Sequence, residues 1–336
     1  MTARGRAGRR STMALLGVLT VVSLFAGACT ASAEDPFSSA ISDEGDDAGA
    51  DLEARDPDPT CSRVGPEKSV AALDPLPSPG AMPAGSYMAR IADRGALRAG
   101  VSQSSFKFAY LDQGGEPEGF DIDIARLVAE AIFGDPDRIE LVATSSPERI
   151  TKLQGDIGSD TGGPEVDIVV QTMTITCGRW AFVNFSTVYY NAGQRILVRE
   201  GSPYAEIEDV AAAGVPACAV RNSTSAANLG AVGVDVVEVE SWTDCLRKFQ
   251  QGELEVISTD DTLLAGLAAQ DPLAEVNGRL FSEEPYGIAT PQDDQFTGFV
   301  NGVLEAARAD GTWQTIYDRW LADSLGRQTP PVAQYR

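Results

Sequence analysis

The chain has 336 residues, with 26 Lys and Arg against 49 Asp and Glu, no His, and a formal net charge of −23. Without imidazole there is no Ser-His-Asp or Cys-His nucleophile and no His-based zinc site, so any acid/base work is left to carboxylates, Lys or Tyr. The acidic excess repels phosphate backbones and anionic membranes alike, which argues against a nucleic-acid partner.

Residues 1–28 carry Arg4, Arg6, Arg9 and Arg10 and no acid, then an apolar run over 13–25 and small residues. That basic, apolar, small order is an export signal. The run is shorter than the roughly 20 apolar residues of a membrane span, although the uncharged stretch 11–33 leaves an uncleaved anchor as an alternative. Ala26-Gly27-Ala28-Cys29 is similar to a bacterial lipobox, whose cysteine becomes the lipid-bearing first residue; its first position departs from the usual Leu. Ala31-Ser32-Ala33 offers a competing cut that releases a soluble protein. The preferred expectation is lipid anchoring through Cys29 at the extracytoplasmic face of the cell membrane.

The other cysteines are Cys61, Cys177, Cys218 and Cys245, an even number suited to two disulfides in an oxidising compartment. Spacing alone allows three pairings, and no CxxC pair marks a metal site. Neither a metal nor a cofactor is expected. Residues 30–60 hold ten acids against Arg55 and read as a disordered stalk. Residues 65–85, with Pro66, Pro75, Pro77, Pro79 and Pro83, read as an extended strap. Together 29–85 form an acidic, then Pro-rich linker.

Folded organisation is expected from near Ser86: a helix over 87–95 and a strand over 97–101. Phe120, Ile124, Leu127, Val128, Ala131 and Ile132 fall at helical spacing within 120–133. A strand over 139–142, a helix over 147–154 and a buried strand over 166–170 follow. The alternation restarts after an extended segment at 194–199. Strands at 217–220, 234–239 and 256–258 are separated by helices at 223–229 and 243–250, with another at 260–268. A second extended segment, 284–290, precedes two amphipathic helices. Phe296, Phe299, Val300, Val303, Leu304 and Ala307 share a face in the first, and Trp313, Ile316, Tyr317, Trp320 and Leu321 in the second. Such alternation predicts an α/β fold. The ordered length, about 240 residues, suits two lobes.

Several motifs occur in order. They are Glu116-Pro117-Glu118-Gly119-Phe120-Asp121-Ile122-Asp123, Thr172-Met173-Thr174-Ile175-Thr176-Cys177-Gly178-Arg179 and Val183-Asn184-Phe185-Ser186. Ser258-Thr259-Asp260-Asp261-Thr262, Glu284-Pro285-Tyr286-Gly287-Ile288-Ala289 and Asp310-Gly311-Thr312-Trp313 complete the set. Over about 86–325 the chain resembles the glutamine, glutamate and aspartate group of polar amino acid solute-binding proteins of ABC importers. Within that group it is most similar to the actinobacterial glutamate/glutamine-binding lipoproteins of the GlnH type.

That resemblance implies a two-lobed periplasmic-binding-protein-like fold of type II with the ligand cleft between lobes. Lobe 1 is expected at 86–187 plus 288–325, lobe 2 at 193–283 and a tail at 326–336. Arg179, whose fork suits a carboxylate, is implied as the α-carboxylate ligand, with Thr174 and the backbone at Thr172. Thr224 and Ser225, at a helix start where free N–H groups bind anionic oxygens, are implied as further carboxylate contacts. Asp260 is implied to hold the ammonium and Asp261 to cap a helix. Ser105 and Phe108 fall in the loop that lines the pocket, although Phe106 or Phe108 taken alone reads more often as core. Lys107, Arg149 and Arg221 are the candidate cations for a ligand side chain, each with a solvated or structural alternative. The resemblance also implies disulfides Cys218–Cys245 and Cys61–Cys177.

The expected protein is a monomer that binds glutamate, aspartate, glutamine or asparagine by hinge closure and serves ABC permease subunits. An amino-acid sensor signalling to a membrane partner, and a dehydratase of prephenate-like acids on the same fold, are the alternatives.

Overall fold

The computed structural model describes residues 65–154 and 164–336. The leader, the acidic stretch, Cys29 and Cys61 lie outside these residues.

Ser86 caps α1 (Tyr87–Arg94) by accepting the Ala89 N–H at 3.1 Å, and Gly95 at φ 97° ends it. β1 (Leu97–Val101) is buried at four of its five positions, as a strand covered on both faces should be. β2 (Ser104–Ser105), β3 (Ala109–Leu111) and β4 (Pro117–Glu118) then form a small antiparallel sheet. α2 (Phe120–Phe133) buries Phe120, Ile124, Val128 and Ile132 along one face. It starts at Gly119, where φ is 135° and a Cβ would stand 2.3 Å from the Phe108 carbonyl oxygen, so only glycine fits.

β5 (Ile139–Ala143), α3 (Arg149–Gln154), β6 (Ile168–Val169), α4 (Cys177–Trp180) and β7 (Asn184–Phe185) complete the first run. β8 (Tyr190–Arg199) leads into a second run: α5 (Ile207–Ala213), β9 (Ala217–Val220), α6 (Thr224–Ala231), β10 (Val236–Val239), α7 (Trp242–Gln250), β11 (Val256–Asp260) and α8 (Asp261–Ala268). β12 (Ala274–Tyr286) returns antiparallel to β8, and β13 (Ala289–Thr290) rejoins the first sheet. α9 (Asp294–Ala309), α10 (Thr312–Trp320) and α11 (Ala322–Leu325) follow.

Each run builds its own five-stranded sheet, ordered β5-β1-β6-β13-β7 and β10-β9-β11-β8-β12. The centres are parallel, β1 with β5 and β6, and β9 with β10 and β11. β13 and β8 enter antiparallel. Each sheet has a separate core, so the molecule has two lobes. In the first, Phe120 lies 5.9 Å from Trp313 and 5.8 Å from Tyr190, ring centre to ring centre. Burying a ring of this size stabilises by roughly 1.5–3 kcal/mol. In the second, Cys218 on β9 and Cys245 on α7 form a buried disulfide with a Cα–Cα distance of 5.7 Å.

The strap is docked on the first lobe, so folded packing extends N-terminal of Ser86. Ser69 Oγ donates to the Phe185 carbonyl at 2.6 Å, and Asn301 Nδ2 donates to Ser69 Oγ at 2.9 Å. The C-terminal tail joins it, with Ser69 N–H donating to the Gln334 carbonyl at 3.0 Å. Gly298 and Gly302 on α9 make room: a Cβ would meet the Ala71 oxygen at 2.9 Å and the Leu73 oxygen at 2.6 Å.

Candidate functional site

α4 places Arg179 on the first lobe's side of the cleft. Thr176 caps this short helix by accepting the Arg179 N–H at 3.3 Å. The guanidinium is buried; Nη1 donates to the Thr174 carbonyl at 2.7 Å and Nη2 to the Asn222 carbonyl, across the cleft, at 3.4 Å. Trp180, the next residue, donates Nε1–H to the Pro66 carbonyl at 2.8 Å and lies under the Arg336 guanidinium at 4.3 Å. Strap and tail therefore both brace the helix that carries Arg179. Cys177 on the same helix is disulfide-bonded; Cys61, its expected partner, lies outside the described residues.

The second lobe contributes α6 and the end of β11. Ser223 caps α6, accepting from Ala226 N–H at 3.1 Å, and the first-turn N–H groups at Thr224 and Ser225 have no intrahelical acceptor. Ser225 Oγ lies 3.0 Å from Thr259 Oγ1. Asp260 and Asp261 divide their work. Asp261 Oδ1 accepts from Thr262 N–H at 2.8 Å, whereas the Asp260 side chain caps nothing. Asp260 Oδ2 accepts from Tyr286 Oη at 2.5 Å, and its buried Oδ1 has no partner among the described residues. Burial pushes the Asp260 carboxyl well above its usual range, helped by neighbouring Glu284 and opposed by the Tyr286 hydroxyl and the Arg149 charge. An orphaned buried carboxylate oxygen is costly unless a donor reaches it.

Glu284 joins the two sides. Its Oε2 accepts from Thr174 Oγ1 and from Thr224 Oγ1, both at 2.7 Å, and those two hydroxyl oxygens stand 3.3 Å apart. Thr174, Arg179, Thr224 and Asp260 thus meet around the strands that link the lobes. Beside them lies a cavity of about 470 Å³, lined by Ser102, Ser105, Thr144, Gln171 and Thr172 from one lobe and Trp242 from the other. That volume is in the ordinary range for a small-molecule cleft.

The remaining sequence candidates are spread more widely. Arg149 is buried, donates Nε–H to the Ser146 carbonyl at 3.1 Å, and its charge is felt at Asp260. Arg221 pairs Nη1 with Glu240 Oε1 at 3.0 Å, and it is Glu240, with Val220, that lines the cavity. The structure does not gather Lys107 or Phe108 around Arg179 and Asp260. Lys107 directs Nζ to Ser324 Oγ. Phe108 is enclosed in the first core, edge-on to Phe120 and Tyr190 at 5.6 Å.

Two site residues had no assigned role in the sequence reading. Glu284 is the first residue of the Glu-Pro-Tyr-Gly motif. Asp121, in the Gly-Phe-Asp motif, is fully buried and accepts from Thr172 N–H at 2.8 Å and from Tyr189 Oη at 2.9 Å. It holds Thr172 at φ 43°, a left-handed conformation. The sequence signal was an acid inside an apolar helical face, where an ionisable group needs a partner.

The family of bacterial extracellular solute-binding proteins, family 3, matches residues 97–323, and the chain belongs to it. The ABC transporter glutamine-binding protein GlnH of Bacillus subtilis is 32% identical over 240 residues, covering 70% of this chain and 85% of the relative. The glutamate-binding protein GluB of Corynebacterium glutamicum is 31% identical over 229 residues, covering 64% and 74%. A solved structure of the ancestral amino acid-binding protein AncCDT-1, described as a precursor of cyclohexadienyl dehydratase, is similar with a TM-score of 0.62. It is 29% identical and covers 70% of this chain and 99% of that one. Among the described residues, no helix is long and apolar enough to cross a membrane.

Proposed function

We propose that the protein captures a free polar α-amino acid with an acidic or amide side chain (glutamate, aspartate, glutamine or asparagine) and hands it to an ABC permease. The observation that carries this reading is the pair of opposite charges on opposite lobes. Arg179 offers a fork for a carboxylate, and the orphaned Asp260 Oδ1 needs a cationic donor. A zwitterion satisfies both only when the lobes close on it. The names of the two relatives, one glutamine-binding and one glutamate-binding, support the ligand class. Arg149 is the group in this reading that meets a side-chain carboxylate or amide oxygen. Lipid on Cys29 keeps the protein at the extracytoplasmic membrane face, with 30–60 as its reach.

Titration calorimetry of the exported protein against L-Glu, L-Gln, L-Asp and L-Asn, with L-Arg and L-His as controls, tests this. The expected result is a saturable isotherm for at least one of the first four; none for any of them refutes the assignment. The likeness to AncCDT-1 favours one second reading, a dehydratase of prephenate-like acids. It requires turnover, so substrate recovered unchanged after incubation with the protein removes it. Recovery of a permease or of a signalling membrane protein in a pull-down separates transport from sensing.

A further inference from the structure

Glu284 lies on β12 opposite Ala192, where β8 and β12 run between the lobes. Its side chain is buried, and four donors converge on it. Oε2 takes the Thr174 and Thr224 hydroxyls, both at 2.7 Å; Oε1 takes Asn228 Nδ2 at 2.8 Å and Ser282 Oγ at 2.6 Å. Thr174 belongs to the first lobe, Thr224 and Asn228 to the second. Asn228 spends its other amide proton on Gln194 Oε1 at 2.9 Å, so its orientation is fixed from below.

A hydroxyl has one proton and two lone pairs, and an ionised carboxylate only accepts. Each threonine proton is therefore committed to Glu284. Neither threonine has a proton left for the other across their 3.3 Å separation, nor for anything in the cleft. What both turn toward a ligand is lone-pair density.

We infer that Glu284 is a positioning residue for capture: it takes the hydroxyl protons of Thr174 and Thr224 from opposite lobes and fixes both oxygens as acceptors for a ligand ammonium. This rests on the amino-acid reading above and deepens it. It moves the two hydroxyls from the carboxylate end of the ligand, where resemblance had put them, to the ammonium end beside Asp260. The carboxylate is then served by Arg179 and by backbone N–H groups at the start of α6. Because the two threonines come from different lobes, Glu284 completes the acceptor pair only in the closed form.

Calorimetry of the intact protein with L-Glu, L-Gln, L-Asp and L-Asn, wild type against Glu284→Gln, tests the inference. The glutamine amide brings a donor to the threonine pair, which forces a hydroxyl to reverse. The expected result is weaker binding by about tenfold or more, with unliganded melting near that of wild type. In a cycle with Thr174→Val, the double variant binds no more weakly than the worse single variant, because both changes remove the same acceptor. A merely structural Glu284 gives losses that multiply. If Glu284→Gln does not fold, Glu284→Asp keeps the charge but withdraws it from the threonines, and the same weakening is expected. Wild-type affinity in the folded variant, or multiplying losses, overturns the inference. A wild type that binds none of the four amino acids instead refutes the capture reading on which it rests.

Discussion

Asp260 and Asp121 are both buried acids whose hydrogen-bond donors among the described residues are uncharged, and they differ in what they wait for. Asp121 has a donor on each oxygen, whereas Asp260 Oδ1 has none among the described residues. Arg179→Ala and Asp260→Asn should each weaken binding of the preferred amino acid by at least about tenfold, since each removes a charge-assisted contact. Asp260→Asn should leave unliganded melting at neutral pH unchanged or higher, because it removes a carboxylate held in a costly place. Calorimetry with thermal melting checks both, and normal binding by Asp260→Asn overturns the assignment. At Asp121, burial raises the carboxyl from 3.8 to about 7. The folded protein holds this proton to higher pH than the unfolded chain does. Its contribution to stability is thus full below about pH 4 and is lost as pH rises through about 7. Asp121→Asn should flatten part of that decline in melting temperature; an unchanged slope would show that Asp121 does not contribute. Asp121 was visible as an acid on an apolar helix face, but its bond to Thr172 N–H, 51 residues away, was not.

At the scale of elements, helices and parallel strands were legible because their residues carry the pattern of their own burial. α2, α9 and α10 have apolar spacing at helical period, and β9, Ala217–Val220, is a short and fully buried apolar run. The antiparallel connectors were less legible. β12 begins at Ala274, ten residues before the extended segment expected at 284–290, although Ala274 and Val276, alternating with Glu275 and Asn277, carry the two-residue period of a half-buried strand and pack on the second core. Its strand state comes from pairing with β8. The strap is a similar case: its prolines announce extended chain, but Gly298 and Gly302 decide where it docks. Gly302→Ala places a methyl 2.6 Å from the Leu73 oxygen, so a cost of about 1–3 kcal/mol is expected. Faster amide exchange over 69–76 should accompany it, and wild-type protection there would count against a docked strap.

At the scale of the molecule, the cleft is an agreement between two lobes. Each lobe buries its own core, and what joins them near the site is polar: Thr174 and Thr224 on Glu284, and Arg179 on the Asn222 carbonyl. Polar contacts of this size are worth about 0.5–1.5 kcal/mol net, or about 1.5–3 kcal/mol when one partner is charged, so a bound zwitterion can decide between open and closed. Small-angle scattering should show the protein contracting when its amino acid is added, and Arg179→Ala should show no contraction at the same ligand concentration. Contraction without Arg179 would place the carboxylate elsewhere. The sequence by itself determined the alternating α/β plan, the family motifs and the residue types at Arg179 and Asp260, because periodicity and motif spacing are local properties of the chain. Only the tertiary structure decided that Phe108 is core, that Lys107 turns to Ser324, that Asp121 holds Thr172, and that Glu284 gathers hydroxyls from both lobes. Those facts depend on which groups the fold brings together, Lys107 with Ser324 and Thr174 with Glu284 being more than a hundred residues apart in the chain, and no local pattern encodes such a meeting.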